Sequence, residues 1–382
     1  MTSELSSLCS YAKGKVSVDT LSKRNYVSTE NMMPNKGGIV DAGALPSAQY
    51  TQQYIKDDIL VSNIRPYFKK IWMADDDGGC SNDVLVFRAD RGCDSTFLYY
   101  ILANDAFFNY ASATSKGTKM PRGDKTAIMQ YKVPCFNYET QLRIGKLLRS
   151  IDDRIAVNKK INDNLEQQAQ SYFQELFVDN ASPEWTTGTI SDLGTVVGGS
   201  TPSKAKPEYY TESGIAWITP KDLSINKSKF VSHGENDITE LGLRNSSASL
   251  MPEGTVLFSS RAPIGYIAIA AGEVTTNQGF KSVVPKPEIG TPFVYFFLKN
   301  TLPVIEGMAS GSTFKEVSGS TMKNVSAVIP DAETLAKFSD FCAPIFAQQR
   351  ILEEQNQSLA TLRDNLLPKL MSGEIDVSAV QL

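Results

Sequence analysis

The sequence predicts an α+β chain. It has two tandem units of mixed β-sheet with short helices, separated by two long helices that form an antiparallel coiled-coil pair. Three observations predict this. The two halves of the 382-residue chain match each other in the same order, each half ends in a helix with heptad spacing, and each begins with short apolar runs broken by turn residues. The length suits two or three domains.

The repeat comes first. Leu60-Val61-Ser62-Asn63-Ile64-Arg65-Pro66 matches Leu257-Phe258-Ser259-Ser260-Arg261-Ala262-Pro263, and Cys80-Ser81-Asn82 sits opposite Thr275-Thr276-Asn277. Phe97-Leu98-Tyr99-Tyr100-Ile101-Leu102 matches Phe293-Val294-Tyr295-Phe296-Phe297-Leu298. Gly123 pairs with Gly319 and Pro134 with Pro330, with the offset held within 194 to 197 residues. A collinear series of this kind marks a duplication. Strands are predicted at 58–62, 84–87, 255–259 and 281–284, and short helices at 97–110 and 292–307.

The long helices follow. Ile144, Leu148, Ile151, Ile155, Asn158, Asn162, Leu165, Ala169, Tyr172 and Leu176 recur at alternating steps of four and three, which is a heptad seam. Phe338, Phe341, Ile345, Gln348, Leu352, Gln355, Leu359, Leu362 and Leu366 form a second seam. At ~1.5 Å per residue each helix would be roughly 50 Å long. Polar seam residues specify register at a cost in stability. Two such helices suit self-association of copies, but the duplication favours pairing within one chain, with the two units at opposite ends. Pro344 predicts that the second helix begins near Ala343 or bends there.

Composition narrows the function classes. Apolar residues make up 41% and charged residues 21%, as in an ordinary folded protein. No apolar run reaches the ~18 residues of a membrane span. The opening Met1-Thr2-Ser3-Glu4 lacks the plan of a signal peptide, so a cytoplasmic location is expected. The cysteines Cys9, Cys80, Cys93, Cys135 and Cys342 include no C-x-x-C pair, which argues against structural zinc and a disulfide framework. The one histidine, His233, sits in a polar stretch and reads as a surface-loop residue. No metal site is predicted. A phosphate-binding G-x-x-x-x-G-K-[ST] loop is absent, as is an Asn-Pro-Pro-aromatic or Asp-Pro-Pro-aromatic run. A catalytic centre is therefore not expected.

Specific residues add a resemblance. Val197-Gly198-Gly199-Ser200-Thr201-Pro202-Ser203-Lys204 with Glu208-Tyr209-Tyr210, then Ile215-Ala216-Trp217-Ile218-Thr219-Pro220-Lys221-Asp222-Leu223, resemble the opening of a target-recognition domain in type I restriction-modification specificity subunits. Ser260-Arg261-Ala262-Pro263-Ile264-Gly265, Thr276-Asn277-Gln278-Gly279-Phe280-Lys281 and Gly311-Ser312-Thr313-Phe314-Lys315-Glu316 are similar to later motifs of that domain. Leu366-Leu367-Pro368-Lys369-Leu370-Met371-Ser372-Gly373-Glu374-Ile375 looks like the family's C-terminal signature. The first half, with Tyr26-Val27-Ser28-Thr29-Glu30-Asn31-Met32, is similar to a different subclass of the same domain.

The resemblance implies target-recognition domains at 1–138 and 179–332, long spacer helices at 139–178 and 333–370, and a C-terminal tail at 371–382. It implies a non-catalytic subunit that binds a bipartite, gapped site on double-stranded DNA. Its implied partners are two methyltransferase subunits and restriction/translocase subunits. S-adenosylmethionine, ATP and Mg would be bound by those partners, and no cofactor by this chain. The family's helices form an antiparallel pair that sets the distance between half-sites. Two readers about 34 Å apart would lie on one face of the duplex. Other readings are a recognition subunit of another modification system, such as a type IIG-like enzyme, and a coiled-coil scaffold that binds protein.

The net charge of −4 is unusual for a DNA binder, so cations must cluster on local surfaces. The candidate DNA contacts are Arg65, Lys69, Lys116, Lys119, Arg122, Lys125, Thr201, Lys204, Lys221, Arg261, Lys315 and Lys323. Lys70, Lys206, Lys227 and Lys229 lie in the same predicted loops. The stretch from Lys116 to Lys125 places four cations in ten residues interrupted by glycine and serine, with a counterpart around Gly311. Asn277 and Gln278 have the groups to read adenine, but a structural turn is the preferred reading. Thr201 to Lys204 suits either a phosphate site or a plain Gly-Pro turn.

Overall fold

The computed structural model describes residues 2–311 and 315–377. Ser312, Thr313 and Phe314 of the late loop, and the end of the tail at 378–382, lie outside the described residues. The chain divides into two compact units: residues 1–156 with 357–382, and residues 157–356.

In the first unit the strand Ile59–Ser62 is buried at every position. Alternate side chains of a strand point to opposite faces, so the strand needs an apolar layer on each side. Ile59 and Val61 pack with Leu85, Phe87, Phe97 and Ile101 in one core. Leu60 packs with Val84, Val86, Val27 and Tyr54 in another. The sheet around it is antiparallel, in the order Cys9–Tyr11, Val84–Ala89, Ile59–Ser62, Ile71–Met73.

The second unit repeats this plan. Val256 and Phe258 face one core and Leu257 the other. The order is Gly194–Gly198, Lys281–Pro285, Val256–Ser260, Ile264–Ala270, with Phe230–Val231 added in parallel at the edge. Each unit also pairs an early strand with a late one. Thr2–Glu4 joins Lys132–Pro134, and Thr186–Thr189 joins Ser326–Ile329.

The two units differ in their second sheet. Both contain a parallel pair, Tyr26–Val27 beside Gly78–Cys80 and Ile215–Ile218 beside Val274–Thr276. In the first unit Tyr50–Tyr54 adds to Gly78–Cys80. In the second, Asn236–Ile238 adds instead to Ile215–Ile218. The duplicated main sheets thus carry divergent second sheets.

The helix expected at 97–110 is two helices, Ser95–Ala103 and Asp105–Ala113. Asn104 breaks the run with an extended ψ of 139°, and its side chain accepts from the Ala106 amide to cap the second helix. Its counterpart Thr291–Gly307 is continuous.

The long helices are Tyr138–Gln174 and Ala332–Ser372. The second begins well before Ala343. Asp331 caps it, accepting from the Thr334 amide at 2.8 Å and from the Trp185 indole at 2.8 Å. These donors hold the Asp331 carboxyl down to about 2. The helix passes through Pro344, which sits on its exposed face while Cys342, Ile345 and Phe346 are buried.

In the first unit Ile144 and Leu148 share a core with Leu367 and Leu370, and Arg363 pairs with Asp152 at 2.6 Å. Ile151 is buried and Ile155 is half-buried. In the second unit Asn158 donates to Asn356 at 3.0 Å, Asn162 and Gln349 exchange side-chain-to-backbone bonds at 3.3 and 3.2 Å, and Phe173 packs on Phe338. Partner numbers fall as helix-one numbers rise, so within each unit the two helices of the pair are antiparallel. Leu165 lines this core, Ile345 and Leu352 are buried, and Leu359 and Leu366 are half-buried.

Four positions of the second seam, Phe341, Gln348, Gln355 and Leu362, are exposed, and the residue after each is more buried. Gln348 is exposed and Gln349 buried, and Leu362 is 48% exposed while Arg363 turns inward to Asp152. An ion pair and an amide network occupy positions that the apolar pattern assigned elsewhere. Asn158 is fully buried, and its Oδ1 has no hydrogen-bond partner. A buried acceptor left unpaired costs about 1–3 kcal/mol. Asn158→Leu should therefore raise stability by about 1–2 kcal/mol, read as a higher urea midpoint at unchanged slope. An equal or lower midpoint would show that the amide bonds outweigh the penalty.

Candidate nucleic-acid interface

The turn after the central strand is the clearest local echo between the units. Arg65 and Ala262 are matched in sequence, and both adopt left-handed backbone with φ of 50° and 51°. In the first unit, Asn63 O accepts from the Gly123 amide and Pro121 O from the Arg65 amide. In the second, Ser260 O accepts from the Val317 amide.

These bonds seat a second shared feature against the turn. Lys116 and Arg122 exchange backbone hydrogen bonds at 2.8 and 2.9 Å, and so do Ser310 and Glu316 at 3.1 and 2.9 Å. The loop from Lys116 to Arg122 and the loop around Gly311 thus occupy corresponding places.

In the second unit this geometry opens a groove lined by Thr201, Lys204, Lys221, Arg261, Asn277 and Gln278. Six residues singled out for chemistry, far apart in the chain, meet there. Trp217 and Tyr210 form its aromatic wall, edge-on at 5.7 Å.

The Gly198-Gly199-Ser200-Thr201-Pro202 loop is anchored rather than free. Its Ser200 amide donates to Thr276 O at 2.8 Å, and Ser200 O accepts from the Trp217 indole at 2.9 Å. The Tyr210 hydroxyl donates to Pro202 O at 2.6 Å, and the Thr201 hydroxyl to Gln278 Oε1. Gly199 is required for this approach, because a Cβ there would meet Asn277 O at 2.0 Å. Asn277 fills the turn role: its side chain accepts from the Gly279 amide at 2.8 Å. Gln278 stays exposed at the groove.

The groove is not simply basic. Lys221 pairs with Glu235 at 2.5 Å, which raises the lysine pKa and keeps it charged. Arg261 pairs with Glu316 at 3.3 Å, a carboxylate shared with Lys281 at 3.6 Å. Lys204 is exposed on the rim. Lys315 and Lys323 are exposed outside the groove lining.

In the first unit Lys116 pairs with Asp124 at 2.5 Å, Arg122 with Asp83 at 2.9 Å, and Lys69 with Asp105 at 2.8 Å. Lys119 lies exposed in the loop and forms no ion pair among the described residues. Lys125 opens the helix Lys125–Met129 and lies 6.0 Å from the Tyr11 ring. The charge pattern marks these cations but not their acidic partners, of which Asp124 lies in the same stretch and Asp83 and Asp105 come from distant segments.

Lys229 is a correction. The sequence places it among loop cations, but it is buried on the side of Phe230–Val231 that faces the long helices. Its ammonium donates to Glu166 at 2.7 Å and Gln349 at 2.9 Å, and lies 3.5 Å from the Phe346 centroid. Lys299 also reaches Glu166, at 2.5 Å. Burial would raise the Glu166 pKa, but the two ammonium groups outweigh it and hold it at about 2. Burial dominates at Lys229 and lowers it to about 8, despite Glu166. At neutral pH the pair is ionised.

His233 is an exposed loop residue near Asp237. Among the described residues no cluster of histidine, cysteine and carboxylate groups is arranged to hold a metal, and no helix is long and apolar enough to cross a membrane.

Two outcomes follow from this geometry. Glu166 has a folded pKa below its ordinary value of 4.5, so its stabilisation is present above pH 4.5 and lost as pH falls towards 2. Glu166→Gln should flatten thermal stability across that window and cost about 3 kcal/mol at pH 7 by leaving Lys229 poorly paired. Unfolding curves at stepped pH check both. Gly199→Ala should push Ser200-Thr201 off the Thr276-Asn277 backbone and weaken DNA binding at least as much as removing Lys204, while the melting temperature falls by only a few degrees. Parallel binding and melting measurements on both variants decide it.

The chain matches the family model described as type I restriction modification DNA specificity domain twice, over residues 1–167 and 183–362. It is 38% identical over 194 residues to the type I restriction enzyme MjaIX specificity subunit of Methanocaldococcus jannaschii, covering 48% of this chain and 45% of that protein. It is 24% identical to the HindI specificity subunit of Haemophilus influenzae, over 92% of this chain and 94% of that one. The chain thus spans about half the length of the first relative and nearly all of the second. A crystal structure of a type I restriction-modification system S subunit from M. genitalium shares the fold, with a TM-score of 0.60 at 17% identity over 97% of this chain and 96% of that chain. A matching family model over both halves, with a similar main sheet and a bridged loop built in each, places the chain in the family of type I restriction-modification DNA specificity proteins.

Proposed function

We propose that the chain is the DNA-recognition subunit of a type I restriction-modification complex and that each unit reads one half of a bipartite, gapped site on double-stranded DNA. The observation that carries this is the repeated pairing of a left-handed turn with a bridged loop, 116–122 in one unit and 310–316 in the other, bearing different side chains. Equivalent frames with unequal side chains suit two unequal half-sites. Phosphates would be held by the cations and bases read by groove-facing polar groups such as Gln278.

The chain carries no catalytic centre in this reading. Methyl transfer belongs to two docked methyltransferase subunits, and translocation and cleavage to restriction subunits. S-adenosylmethionine, ATP and magnesium are assigned to those partners, and the assembly to the cytoplasm. The family match supports the assignment.

The Lys116–Lys125 stretch provides the test. Lys119→Ala with Arg122→Ala should weaken DNA binding several-fold and lower the slope of log affinity against log salt by about 1 to 2. Lys119 should account for most of the change, because Asp83 already neutralises Arg122 in part. Titrations at two salt concentrations measure it. Unchanged affinity and slope would remove this loop from the interface.

A further inference from the structure

The first unit carries an aromatic knuckle that phosphate-binding cations do not explain. Tyr67 and Phe68 are 52% and 39% exposed, with ring centroids 4.8 Å apart. They lie on the single turn Pro66–Phe68, flanked by Arg65 and Lys69, both left-handed. Backbone bonds fix the turn on both sides. The Asn35 amide donates to Phe68 O and the Lys36 amide to Lys69 O, each at 2.8 Å, while the Arg65 amide donates to Pro121 O at 2.8 Å. The rings are therefore held outward by the backbone, not by a core behind them.

The surroundings select the occupant. Lys36 and Lys69 share one carboxylate, Asp105, at 2.8 Å each. Lys70 donates to Thr29 O at 2.6 Å and lies 6.0 Å from the Phe68 ring. The Arg65 Nε is buried without a hydrogen-bond partner. Four cations against two carboxylates, Asp105 and Glu30, around an apolar tip favour a polyanion with apolar faces, which is the chemistry of nucleic acid. The bond to Pro121 ties the knuckle to the basic loop at 116–122. Arg65-Pro66 also corresponds to Ala262-Pro263, and Ala262 lines the groove of the second unit.

We infer that Tyr67 and Phe68 form the base-contacting tip of the first unit, pressing apolar ring surface against base edges of its half-site while neighbouring cations hold phosphates. This rests on the DNA-recognition reading above. It assigns half-site discrimination in this unit partly to apolar contact, for which thymine methyl groups are the matching base feature.

The test uses the full chain assembled with its methyltransferase subunits. One duplex carries the site obtained by mapping methylation in the host genome, and a second duplex of equal length lacks it. Tyr67→Ala with Phe68→Ala should cut affinity for the site duplex by about tenfold or more. Affinity for the unrelated duplex and the salt slope should stay unchanged, because no charge is removed. Tyr67→Phe with Phe68→Tyr should restore site preference. If the double alanine variant melts early, Tyr67→Ser and Phe68→Ser are measured singly. Loss of preference in either one at an unchanged melting temperature supports the assignment. Retained preference, or equal loss on both duplexes, overturns it. A wild-type assembly that binds both duplexes equally would instead defeat the DNA-recognition reading itself.

Discussion

The structure depends on a strand that has no solvent face. Ile59–Ser62 and Val256–Ser260 are buried at every position, so each must lie between two apolar layers. One layer brings in the helices that follow, and the other brings in the divergent second sheet. With both faces fixed, the chain leaving the strand has one route to the surface, and it takes that route through a left-handed residue in both units. The bridged loops and the groove are placed by that exit. The recognition surface is thus a boundary condition of core packing, and its side chains can differ between units without disturbing the frame.

Much of this frame was legible in sequence, for a physical reason. Continuous apolar runs such as Ile59-Leu60-Val61 report burial on both faces, and Leu60 and Leu257 mark the same structural position. The seam of the first long helix was legible too, since Ile144, Leu148 and Asn158 are buried as its spacing requires. The second seam was less so. Arg363 and Gln349 turn inward to meet Asp152 and Asn162, and such partners are invisible to a pattern built on apolar residues. Asn104 splits a helix by capping its successor, a local competition that the aliphatic spacing around it hides.

The candidate site was legible in its cations and silent in its anions. Lys221, Arg261 and Arg122 stood out by charge and loop context, yet Glu235, Glu316 and Asp83 temper all three. Lys229 misled because short polar flanks look like a loop, while three-dimensional packing places its ammonium among aromatic rings beside Glu166. The knuckle at Tyr67 and Phe68 was overlooked since exposed aromatics in sequence look like core. Only solvent exposure separates the two.

The two units also differ in how their chain is supplied. Residues 157–356 are one continuous stretch, but the core of the first unit takes in Leu367, Leu370 and Val377. During synthesis from the N-terminus, the second unit can close as soon as its own stretch has emerged, whereas the first must wait, partly assembled, for residues that follow the second unit. Its apolar faces stay uncovered over that interval, and apolar surface left open in a partly folded chain is what promotes aggregation.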